Sequence, residues 1–269
     1  MDAETVRNWV REGEIRGKTM FSLDEVRNAF PHISHQVLLN ALSRLKRERI
    51  LYSPYGSFYV VLPPQYVLRG AVPSYYFMDE LMRRQGHPYY FGLLSAAALW
   101  GAAHQRAQTD FVVTMRPRLS LSDTPRRSIK WVYRSEWPKD FLCEKNGETG
   151  AIVFSNAELT ALDLVRFEQY AGGLSAVASI LAELLESTHF ANAAAGVFNF
   201  SNAATIQRLG FIVENVLHDE KQGAVILAEW RKRFSERRFV ALSPRSAAIG
   251  KRDEKWKVVV NSVIEADEI

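Results

Sequence analysis

The clearest pattern of apolar and polar positions lies in residues 20–62. Apolar residues recur at helical spacing over 23–30, and Pro31 ends this segment because proline disfavours a helical conformation at the residue before it. Ser22 precedes the segment, and Glu25 follows three residues later, which is the spacing of a capping box. The pattern therefore predicts a short helix that begins after Ser22.

A second helix is predicted to follow, with Ser34 as its N-cap. Its apolar residues recur at steps of three and four between Val37 and Leu45, so they form one buried side. The opposite side carries polar and basic groups of the kinds that hydrogen-bond base edges and phosphates. The DNA-binding positions predicted here are Ser34, His35, Gln36, Asn40, Ser43, Arg44 and Arg47.

A β-hairpin is predicted next, because strand-like residues 50–52 and 58–61 flank a turn that contains Pro and Gly. Two helices followed by a hairpin indicate a winged helix-turn-helix, whose second helix enters the major groove while the wing lies beside the backbone. Tyr55 and Ser57 in the wing are therefore further predicted DNA contacts. Winged helices also bind proteins, and residues 1–62 carry nine Lys and Arg against seven Asp and Glu, so the charge favours DNA only weakly.

The rest of the chain predicts a larger domain of mixed helices and strands. A helix over 3–16 completes the N-terminal domain, and prolines between residues 63 and 73 mark a linker. Further helices are predicted over 74–86, 89–105, 156–187 (interrupted by Gly172-Gly173) and 202–217. Strands are predicted near 109–115, 129–133, 139–143, 151–154, 239–242 and 256–260, and residues 223–234 fit either a helix or a strand.

The predicted fold class is α+β, with a winged helix-turn-helix domain over 1–68 and a mixed α+β domain over 69–269. Two subdomains, 69–155 and 156–269, are an alternative division of the second domain.

The composition is that of a globular chain of 269 residues, with 47% hydrophobic and 24% charged residues. Cys143 is the single cysteine, so an internal disulfide is excluded and a reducing compartment is favoured. The first residues do not have the pattern of a signal peptide, and no long apolar run is free of charge. We therefore expect a cytoplasmic protein without a membrane span.

Two basic stretches stand out in a chain whose net charge is only +4. Residues 116–139 contain seven Lys and Arg against two Asp and Glu, and residues 230–257 contain ten against three. Aromatic residues are interleaved with the cations, which is typical of surfaces that bind RNA or DNA, but a solvated face with buried aromatics gives the same pattern. The predicted basic surface comprises Arg116, Arg118, Arg126, Arg127, Lys130, Arg231, Arg233, Arg237 and Arg238. The interleaved aromatics include Trp131, Tyr133, Trp137, Trp230, Phe234, Phe239 and Trp256.

Catalytic signatures are weak throughout the sequence. It contains neither a glycine-rich phosphate loop nor a G-x-S-x-G elbow. His32 and His35 lack a third ligand, so they indicate a metal site only weakly. Asp253 and Lys255 match a fragment of a nuclease pattern, but so short a match arises by chance, and a solvated charged loop is the favoured explanation. We therefore predict no enzyme activity, no metal and no cofactor.

Three motifs that follow the predicted winged helix resemble a known family. They are YYFGLLSAAALWGAAHQ over 89–105, SNAELTALDLV over 155–165 and IQRLGFIVE over 206–214. Their order behind a winged helix resembles the AbiE-type antitoxins and transcriptional regulators, and the resemblance spans most of the chain. The positions that match are mainly Gly92, Ser95, Ala96, Gly101, Thr160, Asp163, Arg208, Leu209 and Gly210.

The resemblance implies a bacterial antitoxin encoded beside a nucleotidyltransferase-type toxin. Members of the family repress their own operon through the winged helix, so operator DNA is an implied partner, and they counteract the toxin commonly without a stable complex. This chain is not the toxin, because Gly56-Ser57 is not followed by Asp-x-Asp. The alternatives are a stand-alone winged-helix regulator with an effector-binding C-terminal domain and, less favoured, a nuclease that uses Asp253.

Overall fold

The computed structural model describes residues 2–102, 109–119, 129–236 and 238–265. The architecture is mixed α+β, and the chain divides into two compact units. The first unit contains Met1–Pro88, Arg116–Ile129 and Lys145–Ile152, and the second contains Tyr89–Met115, Lys130–Glu144 and Val153–Ile269. The boundary that the sequence places after residue 68 therefore falls inside the first unit.

The described residues of the first unit form four α-helices and a small sheet. Its elements are α1 (Asp2–Ile15), β1 (Met20–Ser22), α2 (Leu23–Ala29), α3 (His35–Arg47), β2 (Leu51–Tyr55), β3 (Phe58–Val61) and α4 (Ser74–Gln85). The sheet has the order β1-β3-β2, and both neighbouring pairs are antiparallel. The predicted order of two helices and a hairpin in residues 20–62 is confirmed, whereas β1 was not predicted because three residues are too few to show alternation.

The core of the first unit lies between its helices and this sheet. Val6 in α1, Val26 in α2 and Leu38 in α3 are each at most 1% exposed. The ring of Phe21 in β1 stacks on that of Tyr59 in β3 with 5.5 Å between the centroids. The apolar side predicted for α3 is thus the side that faces the core.

The two predicted helix caps differ. At the start of α2, the backbone N–H of Glu25 donates to Ser22 Oγ at 3.2 Å and the backbone N–H of Ser22 donates to Glu25 Oε2 at 2.7 Å, so the capping box is confirmed. Ser34 occupies the N-cap position of α3, but its side chain makes no capping hydrogen bond.

Helix α4 packs within the first unit. The ring of Phe77 lies 6.3 Å from that of Tyr52 and 6.5 Å from that of Phe58, both in the hairpin. Arg84 donates to Glu25 at 2.6 Å, which ties the end of α4 to the start of α2. These contacts explain why the first unit extends beyond residue 68.

In the ranges that the structure describes, five α-helices and two sheets belong wholly or mainly to the second unit. Its helices are α5 (Leu93–Leu99), α6 (Ala157–Arg166), α7 (Leu174–Leu184), α8 (Ala203–Phe211) and α9 (Glu220–Arg233). The main sheet is formed by β4 (Tyr89–Phe91), β5 (Asp110–Met115), β6 (Ile129–Arg134), β7 (Leu142–Asn146) and β8 (Ala151–Ser155). The small sheet is formed by β9 (Val240–Ala241), β10 (Lys251–Asp253) and β11 (Val258–Val260).

The main sheet has the order β6-β5-β4-β8-β7, with β4 antiparallel to β5 and parallel to β8. The small sheet has the order β10-β11-β9, with β11 antiparallel to β10 and parallel to β9. One buried cluster, which includes Tyr90, Leu162, Val177 and Leu209, joins the main sheet to the helices.

Three predicted elements differ from the structure. The helix predicted over 89–105 begins as strand β4, because Tyr89–Phe91 pairs with β5, and its small-residue segment forms helix α5 (Leu93–Leu99). Residues 103–105 of this prediction lie outside the described residues. Helix α8 continues into a π-helical turn over Ile212–Val216. The strand predicted over 139–143 starts as a 3-10 turn at Lys139–Phe141, and the ambiguous segment 223–234 lies in helix α9.

No helix in the described ranges is both long and apolar enough to cross a membrane.

Candidate nucleic-acid interface

Helix α3 presents the predicted groove-reading residues on one exposed side. Leu38, Ala41, Leu42 and Leu45 are at most 4% exposed, so the helix is fixed with its opposite side toward solvent. Steps of three and four along the helix bring the outward positions together. The exposed predicted positions are Ser34, His35, Gln36, Asn40, Ser43, Arg44 and Arg47.

The polar side of α3 is partly organised by its own hydrogen bonds. Gln36 Nε2 donates to Asn40 Oδ1 at 3.2 Å, one helical turn away. Arg44 Nε donates to Glu48 Oε1 at 2.9 Å, and Arg7 in α1 also donates to the Glu48 carboxylate. These bonds lower the pKa of Glu48, with the Arg44 bond as the largest cause.

The charge of this side is positive. Helix α3 contains no Asp or Glu, and its last turn carries Arg44, Lys46 and Arg47. Arg47 has no carboxylate partner within the described part of the chain. Arg44 and Arg47 therefore occupy positions from which guanidinium groups can pair with phosphates.

The two DNA contacts predicted in the hairpin, Tyr55 and Ser57, differ in their exposure to solvent. Ser57 is exposed in the turn between β2 and β3. Tyr55 is only 2% exposed, because its side chain lies on the inner side of β2. The prediction that Tyr55 contacts DNA is therefore wrong for this conformation, and alternation along a five-residue strand gave no means of choosing the side.

The residues of the predicted basic surface differ in their exposure and in their contacts. Arg116, Arg118 and Arg231 are exposed, and Lys130 is exposed with its Nζ 4.0 Å from the ring centroid of Tyr170. Arg238 is exposed and pairs with Glu236 at 2.9 Å. Arg126, Arg127 and Arg237 lie outside the described residues.

Arg233 does not belong to an open basic surface. Its Nε donates to Asn199 Oδ1 at 2.9 Å, its second terminal nitrogen donates to the Ala195 carbonyl at 2.8 Å, and it pairs with Glu229. Burial lowers the pKa of Arg233. Its role here is to connect α9 to the 3-10 segment Asn192–Phe200.

The interleaved aromatics are largely packing residues. Trp230 is 1% exposed and Trp256 is 0% exposed, with 6.2 Å between their ring centroids. Trp137 packs against Tyr90 at 5.4 Å. Trp230 and Trp256 therefore cannot stack on nucleic acid in this conformation, because a base cannot reach a fully buried ring.

A buried polar cluster lies in the second unit. Asp163 in α6 is 0% exposed and accepts a hydrogen bond from Tyr90 Oη at 2.9 Å and another from Arg134, which is 5% exposed. Burial opposes the charge of Arg134, but the Asp163 carboxylate outweighs it and raises the Arg134 pKa. The pKa of Tyr90 is raised well above its ordinary value, mainly by burial and secondly by the negative charge of Asp163. The sequence motif around Asp163 did not predict these partners, which lie in β4 and β6.

Several of the other motif residues also support packing. A Cβ at Gly92 would lie 2.8 Å from Val113 Cγ2, and one at Gly210 would lie 2.0 Å from the Trp256 ring. Ser95 Oγ accepts the backbone N–H of Phe111 at 2.8 Å, and Thr160 Oγ1 lies 2.7 Å from Ser155 Oγ. Arg208 Nε donates to the Ala241 carbonyl at 2.9 Å.

The remaining matched positions fit the same description. Ala96 and Leu209 are 0% exposed, and Gly101 has a φ of 81° after α5. A left-handed φ of this kind favours glycine.

The weak nuclease pattern has a structural explanation. Asp253 Oδ1 accepts the backbone N–H of Trp256 at 2.7 Å, and Lys255 pairs with Glu214. Glu214 also accepts from Trp256 Nε1 at 2.7 Å, a contact that the sequence did not predict. Among the residues described, no group of three His, Cys, Asp or Glu side chains converges on a metal position.

Residues 90–215, which contain this buried cluster and the matched motifs, match the model of the AbiEi antitoxin C-terminal domain. This match confirms the resemblance of this part of the chain to the AbiE-type antitoxin family. It supports an antitoxin role in a toxin–antitoxin system.

The fold is also similar to that of the RV2827C protein from Mycobacterium tuberculosis. The crystal structure of that protein matches with a TM-score of 0.62 over 96% of this chain and 90% of that chain, at 13% sequence identity. At this identity the likeness concerns the fold alone. No curated protein matches the sequence.

Proposed function

We propose that this protein is the antitoxin of a bacterial toxin–antitoxin system, that it counteracts a nucleotidyltransferase-type toxin, and that it represses its own operon. The match of residues 90–215 to the AbiEi antitoxin C-terminal domain is the observation that carries this proposal. In this view the protein is a regulator and not an enzyme, it works in the cytoplasm, and its partners are operator DNA and the toxin.

The first unit supplies the DNA-binding part of the proposal. Residues 1–68 would act as a winged helix-turn-helix, with α3 in the major groove and the turn around Ser57 beside the backbone. The exposed polar side of α3, its freedom from acidic residues and its terminal cations support this assignment. The basic residues that remain exposed, such as Arg116 and Arg231, would be further nucleic-acid contacts, including contacts with RNA.

The double variant Arg44→Ala/Arg47→Ala tests the DNA-binding part. Loss of two phosphate contacts should weaken binding to the DNA upstream of the operon and should reduce the slope of log K against log salt by about 1 to 2. The matched control is Arg11→Ala/Arg16→Ala, which removes the same charge from two exposed positions, one in α1 and one directly after it. Equal affinity and slope in both double variants and the wild type would contradict the role of α3.

Co-expression with the protein encoded next to this chain tests the antitoxin part. The full-length wild type and the Arg44→Ala/Arg47→Ala variant should both restore growth when the neighbour is toxic, because the substitutions leave the antitoxin domain intact. A neighbour that is not toxic, or a toxic one that neither form counteracts, would contradict the antitoxin assignment. DNA binding that persisted in that case would favour a stand-alone regulator.

A further inference from the structure

Helix α3 carries a pair of amide side chains on its exposed side, one turn apart. Gln36 Nε2 donates to Asn40 Oδ1 at 3.2 Å, and both residues are exposed. Both lie in the N-terminal half of a helix that ends at Arg47. In helix-turn-helix proteins, this half of the recognition helix contacts base edges.

The hydrogen bond fixes the orientation of the Asn40 amide. A primary amide has an oxygen with two lone pairs and a nitrogen with two donor hydrogens, and either end can face a ligand. Donation from Gln36 selects the rotamer that places Oδ1 toward Gln36 and occupies one of its lone pairs. The second lone pair of Oδ1 and both hydrogens of Nδ2 remain for a partner in solvent.

Adenine is the base whose major-groove edge matches such an amide. It presents the N7 acceptor beside the N6 donor, so Nδ2 can donate to N7 while Oδ1 accepts from N6. Guanine presents two acceptors, which would oppose Oδ1, and cytosine presents only a donor. Thymine presents an acceptor beside a methyl group.

We propose that Asn40 reads an adenine in the major groove and that Gln36 is a positioning residue that holds the Asn40 amide in the reading orientation. This proposal rests on the DNA-binding role of the first unit. The proposal adds to that role the identity of one base that α3 recognises.

The surroundings of the pair fit this assignment. Arg44 and Arg47 lie one and two turns beyond Asn40, where they can contact phosphates and set the register of the helix. The acidic group next to α3, Glu48, is held by Arg44 and by Arg7, so its carboxylate is neutralised at the C-terminal end of the helix. The Gln36–Asn40 pair therefore lies on an uncharged part of the exposed side, which suits contact with base edges.

Selection of binding sites from random-sequence duplex DNA tests the proposal with the full-length protein. The wild type should enrich an adenine at a fixed position, and Asn40→Ala should lose that preference. Its affinity for the selected site should fall about ten- to hundred-fold, while its affinity for the same site with G·C at that position should stay unchanged. Gln36→Ala should cause a smaller loss at the same position.

Two further measurements separate base reading from a general defect. Replacing the adenine by 7-deazaadenine removes the N7 acceptor, so it should weaken binding of the wild type but not of Asn40→Ala. Asn8→Ala removes an exposed asparagine from α1 and should leave both the selection and the affinity unchanged. Unaltered circular dichroism of each variant excludes misfolding.

The outcomes are distinct. Equal loss of affinity for every sequence, or an adenine preference that survives Asn40→Ala, would overturn the adenine assignment while leaving DNA binding intact. Failure of the wild type to bind any duplex would overturn the DNA-binding role as well.

Discussion

The hydroxyl of Tyr90 donates a hydrogen bond to the carboxylate of Asp163 at 2.9 Å, and both residues are 0% exposed. The two residues are 73 positions apart in the sequence, and the bond joins the central strand β4 to helix α6. Arg134 in β6 completes the cluster from a third element. The acid that stands out in the α6 motif therefore holds the domain together and is not placed to act on a substrate.

Removing the charge of Asp163 should destabilise the protein strongly. Asp163→Asn leaves the buried Arg134 guanidinium without its counter-charge, which costs roughly 3–5 kcal/mol of unfolding free energy. Chemical denaturation followed by circular dichroism measures this loss. Asp140→Asn, at an exposed position, is the matched control and should be close to neutral.

A compensating double variant distinguishes an unpaired charge from lost packing. Asp163→Leu/Arg134→Met replaces the ion pair by apolar side chains, so it should be more stable than Asp163→Asn. A double variant as unstable as the single one would indicate that shape, and not charge, makes the position sensitive.

Gly210 should not tolerate a side chain. A Cβ there would lie 2.0 Å from the ring of Trp256, which is itself 0% exposed and cannot move into solvent. Gly210→Ala should therefore lower stability by about 1–3 kcal/mol or more, as measured by thermal unfolding. Gly13→Ala is the control, since a Cβ in α1 would meet its nearest atom at 3.4 Å, and the change should be neutral or stabilising by up to about 1 kcal/mol. A smaller effect at Gly210 than at Gly13 would contradict the close packing.

Ser22 and Ser34, at the starts of α2 and α3, should contribute differently to the stability of the fold. Ser22→Ala removes the hydrogen bond to the Glu25 N–H and should cost about 1 kcal/mol. Ser34→Ala removes no capping hydrogen bond and should cost less than about 0.5 kcal/mol. Urea unfolding of the two variants side by side measures the difference, and equal costs would count against the distinction between the caps.

The ion-pair network around Glu25 should make stability depend on pH in the acid range. Burial alone would raise the Glu25 pKa, but hydrogen bonds from Arg84, Lys18 and the Ser22 backbone outweigh it and lower the pKa from 4.5 to about 2. A carboxyl whose folded pKa is depressed stabilises the fold above its unfolded pKa and loses that contribution as the pH falls through the folded one. The contribution should therefore be complete above about pH 4.5 and should disappear toward pH 2.

Comparison with Glu25→Gln measures this contribution. The side chain is 30% exposed, so solvent screening reduces the effect to on the order of 1 kcal/mol. Near neutral pH the wild type should be more stable by that amount, and the gap should close in acid. Glu12→Gln is the control, because the exposed pair of Glu12 with Arg16 at 3.7 Å contributes little. A gap that stayed constant with pH would show that the Glu25 charge is not responsible.

The sequence by itself determined the local elements whose signals are short-range. The apolar spacing of α3, the Ser22–Glu25 capping box and the two-strand hairpin follow from residues within a few positions of each other, and each is present. The exposed polar side of α3 follows in the same way, since fixing the buried residues of a helix fixes its opposite side. The family resemblance likewise came from contiguous motifs.

Only the tertiary structure decided which side chains meet across elements. The strand at Tyr89–Phe91 forms because β5 and β8 supply its hydrogen bonds, although its sequence continues smoothly into a helical run. Tyr55 and Trp256 are buried because of what packs over them, and alternation of aromatic and basic residues is the same in buried and exposed strands. The partners of Asp163 and the close approach of Gly210 to Trp256 depend on contacts between distant segments, and spacing along one segment carries no information about these.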